Sequence, residues 1–346
     1  MSLSGTRSSS TSTANQSSSS NPPSTTSQST VASTISGSLG KYNLSQPIGV
    51  AFDQANGNLY VTNNKTNTVS VINVASNKLV KTIPVGLAPA AVVLDPVNGH
   101  LFVTNNDSDS ISVIDGASNS VLKTITVGGV HPDGMAFDSA NNCLYVADHG
   151  TVSGGGNAIS VVNATSNIDL LEINGIYHPT GVAFDPANGQ VYVTNGGVSV
   201  LVVNPATNKI TSQIQVGNNP EGIAYDPTNG NLYVANTLSG TVSVISGSSN
   251  TVIATIDVSA SSVHSIPYLV AFDSANGYIM VTNDYSSGVN VINGTTNTLV
   301  NTVTTGFQSE PAGLAIDPDN GNMYVASHTL DSIIVITPNL APSYLP

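Results

Sequence analysis

The chain has 346 residues, with 20 Asp or Glu against seven Lys or Arg, for a formal net charge of −13. A surface of that sign repels nucleic acid backbones and anionic membrane surfaces, so neither is expected as a partner. Charged residues make up 8% and aromatics 5%, and no stretch approaches the roughly 20 consecutive apolar residues of a membrane-spanning helix.

Residues 1–28 differ in composition from the rest. Ser8-Ser9-Ser10-Thr11-Ser12-Thr13 and Ser17-Ser18-Ser19-Ser20-Asn21-Pro22-Pro23 form a Ser/Thr/Pro tract almost without apolar side chains. Such a segment cannot bury enough surface to offset its ordering entropy, and it reads as a disordered linker or stalk. No charged-then-apolar signal peptide opens the sequence, so an export signal or anchor is expected to lie outside it. The stalk-like composition favours an exported protein, extracellular or held in the cell envelope.

From Pro47 onward one phrase recurs seven times. The first copy reads Pro47-Ile48-Gly49-Val50-Ala51-Phe52-Asp53, then Asn56-Gly57, then Leu59-Tyr60-Val61-Thr62-Asn63. Later copies begin at Pro89, Pro132, Pro179, Pro220, Pro267 and Pro311, a period of 41 to 47 residues. This period, with several short strands per copy, predicts an all-β fold, a β-propeller with one blade per copy.

Each copy carries four strand signals, which in blade 1 are A (Gly49–Phe52), B (Leu59–Thr62), C (Val69–Asn73) and D (Leu79–Val85). Small residues such as Gly49, Ala51, Gly181 and Ala183 suit strand A, the strand nearest the crowded axis. The A–B connections read Asp-x-x-Asn-Gly, as in Asp185-Pro186-Ala187-Asn188-Gly189. Asp starts an Asx turn and Asn-Gly closes the hairpin. The aspartates in this slot, Asp53, Asp95, Asp138, Asp185, Asp226, Asp273 and Asp317, are therefore turn formers rather than a calcium belt. Cys143 is the single cysteine; it cannot form an internal disulfide and reads as a small buried hydrophobe.

The seventh copy ends after strand C (Ile333–Ile336) and runs into Thr337-Pro338 with no strand D. Ser29-Thr30-Val31-Ala32-Ser33-Thr34-Ile35 matches Asn250-Thr251-Val252-Ile253-Ala254-Thr255-Ile256, which is strand D of blade 5. Residues 29–36 are thus expected to complete the last blade and close the ring, removing its open sheet edge. The expected organisation is a linker over 1–28, a seven-bladed propeller of four-stranded antiparallel blades over 29–338, and a tail over 339–346.

With Tyr60-Val61-Thr62-Asn63, Tyr192-Val193-Thr194-Asn195, Tyr233-Val234-Ala235-Asn236 and Met280-Val281-Thr282-Asn283 in place, the chain resembles the YVTN family of β-propellers from about Val31 to Ile336. That family includes archaeal surface-layer proteins and exported bacterial proteins. The resemblance implies an extracellular or cell-envelope propeller. Similar seven-bladed propellers hold copper or haem or act as streptogramin lyases, but none of their catalytic motifs aligns here, so no catalytic residue carries over.

In a propeller the D–A and B–C connections share the face around the channel mouth. His131, Asp133, His178, Glu221, His264 and Glu310 fall in D–A connections; Asp107, Asp109, Asp148, His149, Asp284, His328 and Asp331 fall in B–C connections. That face thus carries five of the six histidines, with Lys65 and Lys41 as its positive charges. The longest inserts, Asp148–Ala158 and Ser259–Pro267, lie there too, and function concentrates in such loops on a rigid scaffold.

His131, Asp133, His149, His178, Glu221, His264, Glu310 and His328 are the candidate ligand or partner face. A divalent metal is one reading, with His131, His178 and His264 suited to Zn²⁺ or Cu²⁺ and Asp107-Ser108-Asp109 to Ca²⁺. Solvated side chains on a polar rim are the other reading, since no HxH or HxxxH pair appears. A lyase-like reaction with His149 or His178 as base and Glu221 as partner is a further alternative. GxSxG, P-loop and dinucleotide patterns have no strand–turn–helix context here. Asn-x-Ser/Thr acceptors stand at Asn15, Asn43, Asn64, Asn106, Asn163 and Asn293.

The reading that emerges is a monomeric, non-enzymatic, exported propeller that binds a protein or carbohydrate at the cell surface. The alternative is a metalloprotein or lyase-type enzyme working at the channel mouth. Few basic residues also suit an acid-exposed protein, because self-repulsion stays small once the carboxylates are neutral.

Overall fold

The computed structural model describes residues 30–36, 44–151, 153–259, 266–284, 287–306 and 309–337, with 30–36 as backbone alone. The tract over 1–28 and the tail over 339–346 lie outside the described residues. Seven four-stranded antiparallel sheets make up the rest. Blade 1 runs A (Pro47–Asp53), B (Asn58–Asn63), C (Thr68–Asn73) and D (Lys78–Pro84), each paired with the next. Thr30–Ser36 pairs antiparallel with Ser332–Thr337 as the outer strand of the last blade, so the two ends of the chain meet in one sheet.

Seven apolar clusters hold the ring, one between each pair of adjacent blades. Tyr60, Val69, Val71 and Ile83 of blade 1 meet Val92, Leu101, Val103 and Ile114 of blade 2 in one of them. Strand B is sandwiched between neighbouring blades, so every residue of Asn58–Asn63 is buried. Strand D forms the outer rim and leaves most of Lys78–Pro84 wholly or partly exposed.

The Tyr-Val-Thr-Asn phrase acts as an inter-blade clamp. Tyr60 Oη donates to Asn119 Oδ1 (2.8 Å) at the C–D turn of blade 2; Tyr192 reaches Asn250 (2.6 Å) and Tyr233 reaches Asn297 (2.8 Å) in the same way. Thr62 Oγ1 accepts from Gly49 N (2.7 Å) and donates to the Ala90 carbonyl of the next blade (2.7 Å). Thr194 does the same with Gly181 N (2.7 Å) and the Glu221 carbonyl (2.8 Å). The glycine in this seam is obligatory, because a Cβ on Gly181 would stand 2.2 Å from the Glu221 carbonyl oxygen.

The seven turn aspartates behave as the sequence pattern implies. Each accepts at Oδ1 from the backbone N–H two residues on, from Asp53 with Ala55 (2.9 Å) to Asp317 with Asp319 (3.0 Å).

Two outcomes follow from the seams. Removing residues 1–37 leaves the last blade three-stranded and should lower the melting temperature by about 5 °C or more in a thermal melt. Gly181→Ala should cost about 2–4 kcal/mol in urea denaturation, because the new methyl group meets backbone that cannot retreat.

Candidate functional site

The loop face is shaped by the residue before six of the seven repeat prolines, Ile266 before Pro267 being the exception. Gln46, Ala88, His131, His178, Asn219 and Glu310 all have left-handed backbone there, with φ between 39° and 57°. The preceding blade fastens four of these amides: Gln46 N donates to Asp331 (2.7 Å), Ala88 N to Asn67 (2.9 Å), His131 N to Asp109 (2.9 Å) and Asn219 N to the Gly197 carbonyl (2.7 Å). Asp109 and Asp331 therefore have a scaffolding duty, and the conformation belongs to the repeat rather than to one site.

Blades 3 and 4 gather three histidines at the rim. His149 N donates to the His131 carbonyl (3.0 Å), and His178 Nδ1 lies 3.0 Å from the His149 carbonyl. The His149 and His178 rings stand 4.7 Å apart, with Tyr177 edge-on to His178 at 4.4 Å. His131 Nδ1 lies 3.2 Å from the Asn106 carbonyl and 3.9 Å from Asp107 Oδ1. Bonding to carbonyls assigns the proton of His131 and His178 to Nδ1 and leaves Nε2 as the acceptor. Burial, followed by the His178 and His131 charges, lowers the His149 pKa.

Below the rim, Asp133, Thr180, Glu221 and Tyr268 line a cavity of about 240 Å³ at the axis, opposite Ile48 and Ala90. All six occupy one slot of the repeat, the residue after the proline. The apolar pattern starts strand A two residues later than the structure does, which is why Asp133 and Glu221 read as loop residues. They belong instead to Pro132–Asp138 and Pro220–Asp226. A register irregularity between Pro132 and Met135, and between Pro220 and Ile223, interrupts pairing at these residues. Bulges of this kind re-aim side chains.

Burial pushes Asp133 up to about 6. It also pushes Glu221 up to about 7, with the Asp133 charge as the next cause; hydrogen bonds from Asn219 (2.7 Å) and Thr180 oppose the rise and Asp284 adds to it.

Asp148 is likewise not a loop residue. It ends strand B, fully buried, in the slot held by Asn63, Asn105, Asn195, Asn236 and Asn283 in other blades. Its Oδ2 accepts from Ser160 Oγ (2.7 Å) while Oδ1 has no partner. Burial first, with Asp169 and Glu172 adding, pushes it up to about 7.

Among the described residues no three His, Cys, Asp or Glu side chains are grouped to hold a metal ion. His131, His178, Asp107 and Asp109 do not assemble into one ligand set: each histidine turns Nδ1 to a carbonyl and Asp109 binds backbone. His264 lies outside the described residues. Glu310 and His328 form a separate pair in blade 7, 3.9 Å apart. Thr180, Tyr268 and Tyr177 escape a search for charged groups. Aligning the residue after each proline brings the first two into line with Asp133 and Glu221.

An NHL repeat model matches residues 44–72, the first three strands of blade 1. No curated protein sequence matches the chain. Among solved structures the chain is similar to the Kuenenia stuttgartiensis hydrazine synthase, with a TM-score of 0.75 and 20% identity over 86% of this chain and 97% of that one. It is also similar to a streptogramin B lyase structure, with a TM-score of 0.74 and 15% identity over 88% and 96%. At these identities the likeness is one of fold, a seven-bladed β-propeller.

The raised carboxylates fix a direction for stability against pH. Asp133, Asp148 and Glu221 hold protons more tightly folded than unfolded, so their contribution is full near pH 4 and is lost as pH rises through about 6 to 7. The melting temperature should be higher at pH 5 than at pH 8, and Asp148→Asn should raise the pH 8 value by a few degrees, about 3 °C or more. A melting temperature highest near neutral pH would contradict this.

Proposed function

We propose that this protein is an exported, YVTN-type propeller of the cell envelope that works as a non-enzymatic binding module through its loop face. The observation that carries this reading is an asymmetry of exposure. Leu87, Tyr177, Val198, Leu238 and Leu330, each at least 44% exposed, lie in D–A and B–C connections, on the same face as the His131, His149 and His178 rim. Among the described residues the A–B and C–D turns of the opposite face expose only Val97 to that degree. Large apolar side chains kept in water on one face suit a partner surface. Aromatic anchors such as Tyr177 are common centres of binding energy.

The partner expected from this reading is a surface protein or carbohydrate. Purified protein should bind envelopes from the cells that produce it, and Tyr177→Ala together with Leu238→Asp should weaken that binding at least about tenfold. Protease treatment of the envelopes removes a protein partner, and periodate removes a carbohydrate. Binding unaffected by the double substitution would refute the loop face as the contact surface.

A lyase-type enzyme or metalloprotein at the channel mouth is the second reading. It draws on Asp133 and Glu221, whose values of about 6 and 7 lie where proton transfer near neutral pH is efficient. Stoichiometric Zn²⁺, Cu²⁺ or Ca²⁺ in the purified protein, lost on changing Asp133 and Glu221, would favour it over the binding module.

A further inference from the structure

The channel cavity is apolar over most of its wall, with Val50, Val92, Met135, Val182, Ile223 and Leu314 among its lining. At the slot after the repeat proline, blades 3 to 6 add Asp133, Thr180, Glu221 and Tyr268, while blades 1 and 2 add Ile48 and Ala90. No Lys or Arg lines it. Asp133 is partly buried, and among the described residues its carboxylate has no hydrogen-bond partner. Glu221 receives Asn219 Nδ2 at 2.7 Å. The charge of Asp133 acts on Glu221 across the cavity, and Asp284, ending Tyr278–Asp284, adds to it. Like charges sharing a poorly solvated space disfavour each other, and a cation between them reverses that penalty.

The geometry points to the channel mouth as a binding site for a small organic ammonium ion, its charged head between Asp133 and Glu221 and its apolar body against Ile48 and Ala90. Among the described residues, two acids without a basic partner, one of them with no hydrogen-bond donor to its carboxylate, line a mostly apolar cavity. A metal ion suits the place less well. No third His, Cys, Asp or Glu among the described residues joins the pair as a ligand group, and a bare ion leaves the apolar wall without a partner.

Size agrees. The cavity of about 240 Å³ holds the volume of about eight waters at about 30 Å³ each, room for an alkylammonium of a few carbons. The net charge of −13 draws cations toward the mouth. This site is separate from the loop-face contact proposed above and does not depend on it.

The test is calorimetric titration of the whole protein with n-butylammonium, with butyrate and Ca²⁺ as comparators, at pH 8 and pH 5. Butylammonium should bind at pH 8 with one site per chain, and butyrate should not bind. Asp133→Asn and Glu221→Gln should each weaken binding about tenfold or more, as loss of a charge-assisted contact does. The carboxylates take up protons as pH falls through about 7 and 6 while the amine stays charged, so affinity should also fall at pH 5. Val97→Asp, in an exposed turn of the opposite face, should leave it unchanged. Absence of saturable binding, equal binding of butyrate, preference for Ca²⁺, or wild-type affinity in both variants would overturn the inference. If one variant fails to fold, the other variant and the pH comparison still decide. Ammonium binding without envelope binding would sink only the partner reading; the reverse result would sink only this one.

Discussion

The close approach of neighbouring innermost strands governs this molecule. A Cβ on Gly49 would lie 2.2 Å from the Ala90 carbonyl, one on Gly134 the same distance from the Thr180 carbonyl, and one on Gly313 nearer still to the Ile48 carbonyl. Blades this close leave carbonyls at the seam that water reaches poorly, and each needs a donor. Thr62, Thr104, Thr194 and Thr282 supply one to the next blade. Blades 3, 5 and 7 have Ala147, Ala235 and Ala326 in that slot, and in blade 3 Gly134 N itself donates to the Thr180 carbonyl at 3.0 Å. Four seams thus use a threonine hydroxyl and one uses a glycine amide.

That constraint falls on the glycine and the threonine and spares the residue after the repeat proline. Its carbonyl belongs to the seam while its side chain looks into the channel. Ile48, Ala90, Asp133, Thr180, Glu221 and Tyr268 can therefore differ freely in chemistry without loosening a blade. A propeller of this kind keeps its scaffold in repeated positions and its individuality in the slot beside them, which is how one fold hosts unrelated activities.

The acids divide along the same line. Asp53 and its six counterparts are consumed by turns, and Asp109 and Asp331 by the fastening of the next blade. Asp133 and Glu221 have no such duty, and their proton affinity rises because burial in the channel disfavours charge. Asp148 is the exception within the scaffold. It stands where other blades use asparagine, and its Oδ1 is left without a partner, so its cost falls on folding as pH rises.

Much of the architecture was legible because repetition averages out local ambiguity. Asp-x-x-Asn-Gly turns and the alternation of strands C and D determined blade number and strand order, since these depend on neighbours in sequence. The match between residues 29–35 and 250–256 determined ring closure, since the repeat names the strand that is missing. The gathering of His131, His149 and His178 was not legible, because it depends on a backbone bond between two loops of blade 3 and on the His178 ring of blade 4 reaching the His149 carbonyl. The start of strand A escaped as well. A proline at the channel end hides the bulge that turns Asp133 and Glu221 inward. The linear pattern gives the direction of a side chain only where pairing is regular. At the axis the pairing is irregular and blades meet at contact distance, so tertiary structure alone decided which acids face the channel.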